Sequence, residues 1–249
     1  MNVDHQPGGE ETGPSPRARR MLTAFLLFLA VIFLALGTWQ VQRLFWKLDL
    51  IERVDARIHA DPVPAPSRTE WNTVSAEKDE YRRVSVTGLF QHDKTVLVQA
   101  VTERGAGFWV LTPLILADGT AVLINRGFVP ADRRDPAARV ASELAAGPVR
   151  IIGLLRISEP GGAFLRSNDP ANDRWFSRDV AAIAAAKGLA NAAPYFIDAD
   201  ATPNPGGLPI GGLTVVTFRN THLIYALTWY ALAAMSVVAA SFVHRRRIG

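Results

Sequence analysis

The 249-residue chain contains no cysteine. This absence excludes disulfide bonds, zinc sites built from thiolates and copper transfer through thiols. Histidine is scarce as well, and no two histidines are four residues apart; they are His5, His59, His92, His222 and His244. A metal site built from several histidines therefore has no local signature in this sequence.

Motifs for phosphate binding and catalysis are also missing. The glycine pairs at 206–207 and 211–212 lie in a proline-containing loop and neither opens a helix. Asp198 and Asp200 are two residues apart on a predicted strand, a spacing more typical of a solvated strand end than of an acid/base pair. Because no nucleophile stands out with a base beside it, we predict that the protein is not an enzyme.

Two long uncharged runs are the main positive feature of the sequence. Residues 21–42 and 223–243 carry no charged side chain. As helices rising about 1.5 Å per residue, both runs cross a hydrocarbon core of roughly 30 Å. A cleaved signal peptide is the alternative for the first run, but its apolar core exceeds the usual ~15 residues and no small-residue cleavage site follows.

Arginines flank the two runs on their outer sides, three before the first and three after the second. The positive-inside rule therefore predicts a multi-pass protein of the cell (inner) membrane, with both termini cytoplasmic and the central domain periplasmic. These arginines supply much of the net charge of +4. The segment between them is nearly neutral, so the lipid bilayer is an expected partner and nucleic acid is not.

The second run begins with a histidine and aromatic residues on one helical face. Asn220 is a candidate N-cap, and Tyr225, Ala226 and Trp229 follow His222 at i+3, i+4 and i+7. Two interpretations stay open. The face is either part of an aromatic belt at headgroup depth, or a site where a neutral imidazole ligates haem iron.

The helical period of the first run continues beyond the predicted span, at Trp39, Arg43, Trp46, Lys47 and Leu50. One interpretation is an interfacial anchor, with tryptophans at headgroup level. The other is a cationic clamp, formed by Arg43 and Lys47, for an anionic ligand. If the ligand is haem, Arg219 joins the clamp and the three cations meet the propionates.

The central segment has the pattern of a β-rich domain. Short β-branched runs predict strands at Arg83–Phe90, Thr95–Ala100, Phe108–Leu116, Ala121–Asn125, Val149–Arg156, Tyr195–Asp198 and Leu213–Phe218. Asp118–Gly119 predicts a hairpin turn, and Arg139–Ala146 and Arg178–Lys187 predict short helices. We expect an integral membrane α+β fold in which two transmembrane helices flank a mainly antiparallel, barrel-like extracytoplasmic domain.

The predicted organisation follows from these features. It comprises a disordered cytoplasmic tail (1–20), a transmembrane helix (21–42), a juxtamembrane helix with a Pro-rich linker (43–67), a β-rich domain (68–219), a second transmembrane helix (220–243) and a basic cytoplasmic tail (244–249).

Six motifs, in order between the two runs, resemble the Surfeit-locus (Shy) family of cytochrome c oxidase assembly factors, and the chain is similar to a bacterial member. The first motif comprises residues 36–40, 43–44 and 46–47, the second 81–84 and 87–88, and the third 125–130. The fourth comprises 168–170, 174–175 and 178–179, the fifth 218–220, and the sixth 222–223 and 225–230. Two positions depart mildly from the family pattern, with Phe128 in place of tryptophan and Thr221 in place of asparagine.

The resemblance implies a membrane factor that binds haem a as transient cargo and assists its insertion into subunit I of the oxidase. The histidine at the start of the second helix, matched by His222, is then the axial ligand of the iron. The other candidate haem-binding residues are Tyr225, Trp229, Arg219, Arg43, Trp39 and Lys47. Subunit I and haem a synthase are the expected partners.

A second hypothesis is a cofactor-free membrane scaffold that stabilises subunit I during oxidase assembly. The motif face of the second helix fits this hypothesis too, because small residues and a tryptophan also suit helix–helix packing. An enzyme acting on haem is a third class, for which the sequence offers no catalytic residues.

Overall fold

The computed structural model describes residues 15–143, 147–163, 165–216, 218 and 220–245. The chain divides into two compact units: Met1–Ile51 with Phe218–Gly249, here called the helix unit, and Glu52–Thr217, here called the β domain. The α-helices of the described residues are α1 (Pro16–His59), α2 (Ala76–Asp79), α3 (Val140–Glu143), α4 (Val180–Ala186) and α5 (His222–Arg245). The strands are β1 (Val63–Pro64), β2 (Arg83–Phe90), β3 (Val96–Thr102), β4 (Gly105–Ile115), β5 (Ala121–Pro130), β6 (Val149–Ile157) and β7 (Ala192–Ala199).

Helix α1 is one continuous helix of 44 residues. It begins at Pro16, because proline suits the first helical turn, where its missing N–H has no intrahelical partner. The helix thus starts within the segment predicted as a disordered tail, of which residues 1–14 lie outside the described residues. It continues past Leu50 to His59, just before the alternating prolines at 62, 64 and 66.

Helix α5 begins at His222, two residues inside the predicted span of 220–243. The backbone N–H of His222 donates to Asn220 Oδ1 at 3.3 Å, so Asn220 caps the helix as predicted. The helix ends at Arg245, and the rest of the predicted basic tail, residues 246–249, lies outside the described residues. Both α1 and α5 contain a run that is long and apolar enough to cross a membrane.

Buried residues on α1 and α5 recur at seven-residue intervals. On α5 they include Ala226, Ala233 and Ala240, and on α1 they include Ala30 and Gly37. A seven-residue period keeps one stripe of a helix facing its partner, and small side chains let two backbones approach closely. The two helices therefore pack along a stripe of small residues, which we call the seam.

Contacts across the seam show that the two helices are antiparallel. Phe33 of α1 stacks on Trp229 of α5, with ring centroids 5.6 Å apart. Further along α1, Gln40 contacts His222, which lies earlier on α5. Residue numbers thus rise along one helix as they fall along the other, so the helix unit joins the two ends of the described chain.

The β domain is built on one sheet with strand order β1-β2-β6-β7-β5-β4-β3. Strand β4 also pairs with β2, through Leu114 opposite Phe90, which closes β2, β6, β7, β5 and β4 into a ring. The pairs β1–β2 and β5–β7 are parallel, and the other pairings are antiparallel. The mainly antiparallel, barrel-like domain predicted from the sequence is therefore confirmed.

Six of the seven predicted strands correspond to β2 to β7; the bounds of β2 are as predicted, and the other five have shifted ends. The predicted turn at Asp118–Gly119 joins β4 to β5, where the Leu116 N–H donates to the Thr120 carbonyl at 2.9 Å. Gly119 has a φ of +79°, a conformation that glycine adopts at no steric cost. The short helices α3 and α4 lie within the two predicted helical segments, although residues 144–146 of the first are outside the described residues.

The seventh predicted strand, Leu213–Phe218, is wrong: within the described residues 213–216 and 218 no strand forms. Both edges of the preceding strand, β7, are already paired with β5 and β6, so this β-branched segment has no edge of β7 to join. It is held instead by the Gly212 N–H, which donates to the Ala199 carbonyl at 3.2 Å, and by the Thr214 side chain.

Two apolar clusters pack on the two faces of the sheet. Leu123 of β5 and Phe196 of β7 belong to one cluster, which includes Ile183 of α4. Their neighbours Ile124 and Ile197 belong to the other. Because successive side chains of a strand point to opposite faces, β5 and β7 each contribute to both clusters and the domain core lies on both sides of the sheet.

The β domain begins before residue 68, where the sequence placed its boundary. Arg57, near the end of α1, donates to the Glu77 carbonyl at 2.8 Å. Val63 of β1 pairs with Val84 of β2. The last turns of α1 and the Pro-rich segment after it are therefore part of the β domain, because a side-chain hydrogen bond fixes the first and backbone pairing fixes the second.

Candidate functional site

His222 lies at the first position of α5 and is half-buried. Its Nδ1 atom is 2.8 Å from Oε1 of Gln40, a residue of the α1 stripe that faces α5. A carboxamide oxygen can only accept a hydrogen bond, so Nδ1 donates and a neutral imidazole keeps its lone pair on Nε2. Among the described residues, Nε2 has no hydrogen-bond partner. Metal-binding histidines commonly have the other ring nitrogen fixed by a hydrogen bond in this way.

Three predicted site residues lie on the same side of this histidine. Arg43 follows Gln40 by three residues and Tyr225 follows His222 by three. In an antiparallel pair, equal offsets from facing residues place side chains on the same side of the seam. Trp39, four residues before Arg43, shares that side. Trp39 and Tyr225 are 51% and 53% exposed, and these two residues together with Arg43 are here called the lateral face.

The remaining predicted site residues occupy other positions. Trp229 is stacked on Phe33 in the seam, so helix packing uses at least one face of its ring. The Lys47 ammonium lies 4.8 Å from the centre of the Phe218 ring, close to the start of α5. The Arg43 guanidinium lies 4.6 Å from the ring of Trp46, and Arg219 is outside the described residues.

The β domain contains a buried ion cluster around Asp198 that the sequence did not predict. The interpretation of Asp198 as a solvated strand end is wrong, because the residue is 3% exposed. Its Oδ2 accepts from Arg156 Nη1 at 2.8 Å and from Thr214 Oγ1 at 2.9 Å. Its Oδ1 accepts from Asn125 Nδ2 at 2.7 Å and from Arg178 Nη1 at 3.1 Å. The one feature of the sequence that could have indicated this cluster is an ionisable residue, Asp198, in an otherwise apolar strand.

The positive charges of this cluster are compensated within it. Arg156 also donates to Glu80 at 2.7 Å, and Arg178 donates to Glu159 at 3.0 Å. Burial alone would lower the pKa of Arg156, but the Asp198 and Glu80 carboxylates outweigh burial and the pKa lies above its ordinary value. The two arginines line a cavity of about 620 Å³, yet their charges are already compensated by carboxylates. The cluster therefore ties β6 and β7 to the segment before α4.

A buried arginine of β5 lies in one of the sequence motifs. Arg126 of β5 is 3% exposed, and its Nη2 donates to Asn204 Oδ1 at 3.2 Å. Burial lowers the pKa of Arg126 to about 10. The next residue, Gly127, has a φ of +132°, and a Cβ there would collide with the backbone of Ile210. The glycine of the Asn-Arg-Gly sequence is thus explained by close approach of the Ile210 segment to β5.

These observations define a class of protein: a barrel-like β domain between two apolar helices that pair with each other and present a half-buried histidine. Comparison with known proteins identifies the family. Residues 27–234 match the SURF1 family. The chain belongs to this family.

Relatives from animals and a unicellular eukaryote are similar over most of the chain. Surfeit locus protein 1 of Homo sapiens is 39% identical over 228 residues, which cover 84% of this chain and 73% of the relative. Surfeit locus protein 1 of Rattus norvegicus is 38% identical over 228 residues, covering 84% and 71%. A SURF1-like protein of Monosiga brevicollis is 38% identical over 235 residues, covering 89% and 87%.

Proposed function

We propose that this protein is a membrane-anchored assembly factor of cytochrome c oxidase that binds haem a through His222 and assists its insertion into subunit I. Membership of the SURF1 family supports a role in oxidase assembly. Haem a is the cargo in this proposal, not a resident cofactor. Subunit I receives the haem, and haem a synthase supplies it.

One observation carries the haem proposal: the Nδ1 atom of His222 is fixed by Gln40, while Nε2 has no partner among the described residues. An imidazole held in this way is a suitable axial ligand for haem iron. Beside it, Trp39 and Tyr225 of the lateral face border the macrocycle, and Arg43 and Lys47 are the cations available to the propionates. The long apolar tail of haem a favours a site open to lipid, because each buried methylene contributes about 0.8 kcal/mol.

The exposed residues of the helix unit support placement of α1 and α5 in a bilayer. Large apolar side chains point away from the seam, including Phe28, Val31, Ile224 and Leu227, which are 61 to 66% exposed. Water-exposed surfaces this apolar are unfavourable, whereas lipid solvates them. With the flanking arginines, this favours an inner-membrane protein whose termini are cytoplasmic and whose β domain is periplasmic.

The test is an absorption spectrum, with pyridine haemochrome analysis, of the full-length protein purified in detergent after expression with the haem a pathway. We expect an a-type spectrum for the wild type and its loss in His222→Ala, because the iron loses its protein ligand. His244→Ala is the matched control, since His244 lies in the last turn of the same helix. Colourless wild-type protein, purified from membranes that contain haem a, would contradict the proposal.

A second candidate function is a cofactor-free scaffold that holds subunit I during assembly. The observation that favours it is the use of Trp229 for stacking on Phe33 within a seam of small residues, which is the chemistry of helix packing. Under this function, a strain carrying His222→Ala assembles the oxidase normally. A loss of assembly in that strain, with unchanged protein level, would favour the haem carrier.

A further inference from the structure

We propose that Gln40 is a positioning residue that selects which nitrogen of His222 meets the haem iron and limits how strongly it binds. This inference rests on the proposed function of His222 as the haem ligand. It adds to the candidate site a residue that the sequence did not predict there. The Gln40–His222 hydrogen bond, at 2.8 Å between residues 182 positions apart, is the observation behind it.

The chemistry of the amide decides the tautomer. The Gln40 atom in contact is the carbonyl oxygen Oε1, which accepts and cannot donate. Nδ1 of His222 must therefore carry the proton, and Nε2 keeps the lone pair that binds iron. If the Nε2 amide group of Gln40 took the place of Oε1, it would donate to Nδ1 and leave the imidazole proton on its Nε2, which would block ligation. One hydrogen bond thus separates a ligating from a non-ligating histidine.

Helix pairing alone does not account for a glutamine at this position. The neighbouring seam positions of α1 hold Gly37 and Ala30, which are buried and small. A hydrogen-bonding pair between the helices is already present two residues away, where the Thr38 and Tyr230 hydroxyls lie 3.3 Å apart. A polar side chain inside an apolar helix pair is costly and is usually associated with function.

A neutral acceptor also suits a protein that must release its cargo. A carboxylate that accepts from a metal-binding histidine raises the basicity of the imidazole and strengthens the metal bond. A carboxamide orients the ring with a weaker electronic effect. We therefore infer that glutamine, rather than glutamate or aspartate, keeps the His222–iron bond moderate, so that an acceptor protein can take the haem.

The first experiment determines which ring nitrogen of His222 carries the proton, in protein without haem. Full-length protein labelled with ¹⁵N-histidine is examined by NMR in detergent, and the His222 signals are assigned by their absence in His222→Ala. We expect the wild type to show a protonated Nδ1 and an unprotonated Nε2, and Gln40→Leu to shift the population towards the Nε2–H form. A wild-type His222 protonated at Nε2, or a tautomer that Gln40→Leu leaves unchanged, would overturn the proposal.

The second experiment measures the affinity and the reduction potential of bound haem a. We expect Gln40→Leu to weaken haem binding by about 10-fold or more, as is typical when the partner of a metal ligand is lost. Gln40→Glu should retain haem and lower its reduction potential, because the carboxylate makes the imidazole a stronger donor. Thr38→Val is the matched control: it removes the neighbouring interhelical contact, and both affinity and potential should stay at wild-type values.

The outcomes separate this proposal from the proposed function. If His222→Ala loses haem but Gln40→Leu and Gln40→Glu match the wild type, the haem function stands and the role of Gln40 is overturned. Equal loss of haem in Gln40→Leu, Gln40→Glu and Thr38→Val would show that only helix packing was disturbed, and would overturn it as well. If the wild type holds no haem, the proposed function fails, and the NMR experiment still decides whether Gln40 sets the tautomer.

Discussion

The two units of this protein treat polar side chains in opposite ways. In the β domain, Asp198 is buried with at least two hydrogen-bond donors on each carboxylate oxygen. In the helix unit, His222 has a partner on one ring nitrogen and, among the described residues, none on the other. A polar group whose bonds are all made within the chain stabilises the fold. A polar group with one bond left over is the better candidate for binding something else.

Among the tests of this comparison between the two units, substitution of Asp198 has the largest expected effect. Asp198→Asn removes the buried carboxylate that both Arg156 and Arg178 contact, so we expect the free energy of unfolding to fall by about 3 kcal/mol. Thermal unfolding of the full-length protein in detergent, followed by circular dichroism, measures the loss. Haem a bound per folded molecule should not change. Asp200→Asn is the control, because the Asp200 side chain accepts only from the Thr202 N–H and carries no salt bridge among the described contacts.

The opposite result would contradict the stated difference between the two units. If Asp198→Asn lost haem while its unfolding temperature matched that of the wild type, the β domain would hold the functional polar group. His222→Ala completes the cross-test: we expect it to abolish haem binding while the free energy of unfolding changes by less than about 1 kcal/mol.

A smaller effect is expected from the seam of the helix unit. Ala233 is 3% exposed, so Ala233→Leu forces extra volume between α1 and α5 and should destabilise their pairing by about 1–3 kcal/mol. Titration with SDS in mixed micelles, followed by circular dichroism, measures the shift. Ala234→Leu is the matched control, because the neighbouring residue is exposed and should tolerate leucine. Equal effects at both positions would show that the seam does not hold the helices together.

The smallest effect concerns a second histidine, His92 of the β domain. Burial, and then the positive charge of Arg126, lower the pKa of His92 from its ordinary value of 6.5. Below that pH the unfolded chain binds a proton that the folded chain does not, so stability present above pH 6.5 is lost as the pH falls. Between pH 7.5 and 5.5 we expect the wild type to lose up to about 1 kcal/mol more than His92→Gln.

Paired thermal unfolding curves at the two pH values measure this difference. Glu143 and Asp93 act in the opposite direction on His92 and are present in both proteins, so the difference between the curves isolates the histidine. Haem binding should be the same in both. This would sharpen the comparison, because one histidine then affects stability alone and the other affects cargo alone.

Local patterns predicted the elements of this fold well. The uncharged runs predicted the apolar parts of α1 and α5, and β-branched runs with Asp118–Gly119 predicted most strands and one turn. Leu213–Phe218 failed because its composition favours a strand, whereas strand formation also needs a free edge, and both edges of β7 are taken. The strand propensity of a segment does not show whether a neighbouring strand has a free edge.

Contacts between residues far apart in the chain were the other feature that the sequence did not predict. Asp198 was misjudged because its burial depends on Arg156 and Arg178, which reach it from other parts of the chain. The periodicity of the second run placed His222, Tyr225 and Trp229 on one helix face. It did not show that Trp229 would pack on Phe33 or that His222 would meet Gln40, because the register of the helix pair depends on both helices at once.

The separation of Gln40 and His222 along the chain has a consequence for biogenesis. A ribosome makes α1 first and α5 last, with the whole β domain between them. A translation product that stops before residue 222 contains the glutamine, and can contain the β domain, but has no histidine to pair with it. Under the proposed function, haem binding thus becomes possible only after α5 has been made, and chains that stop before residue 222 are unable to sequester haem a.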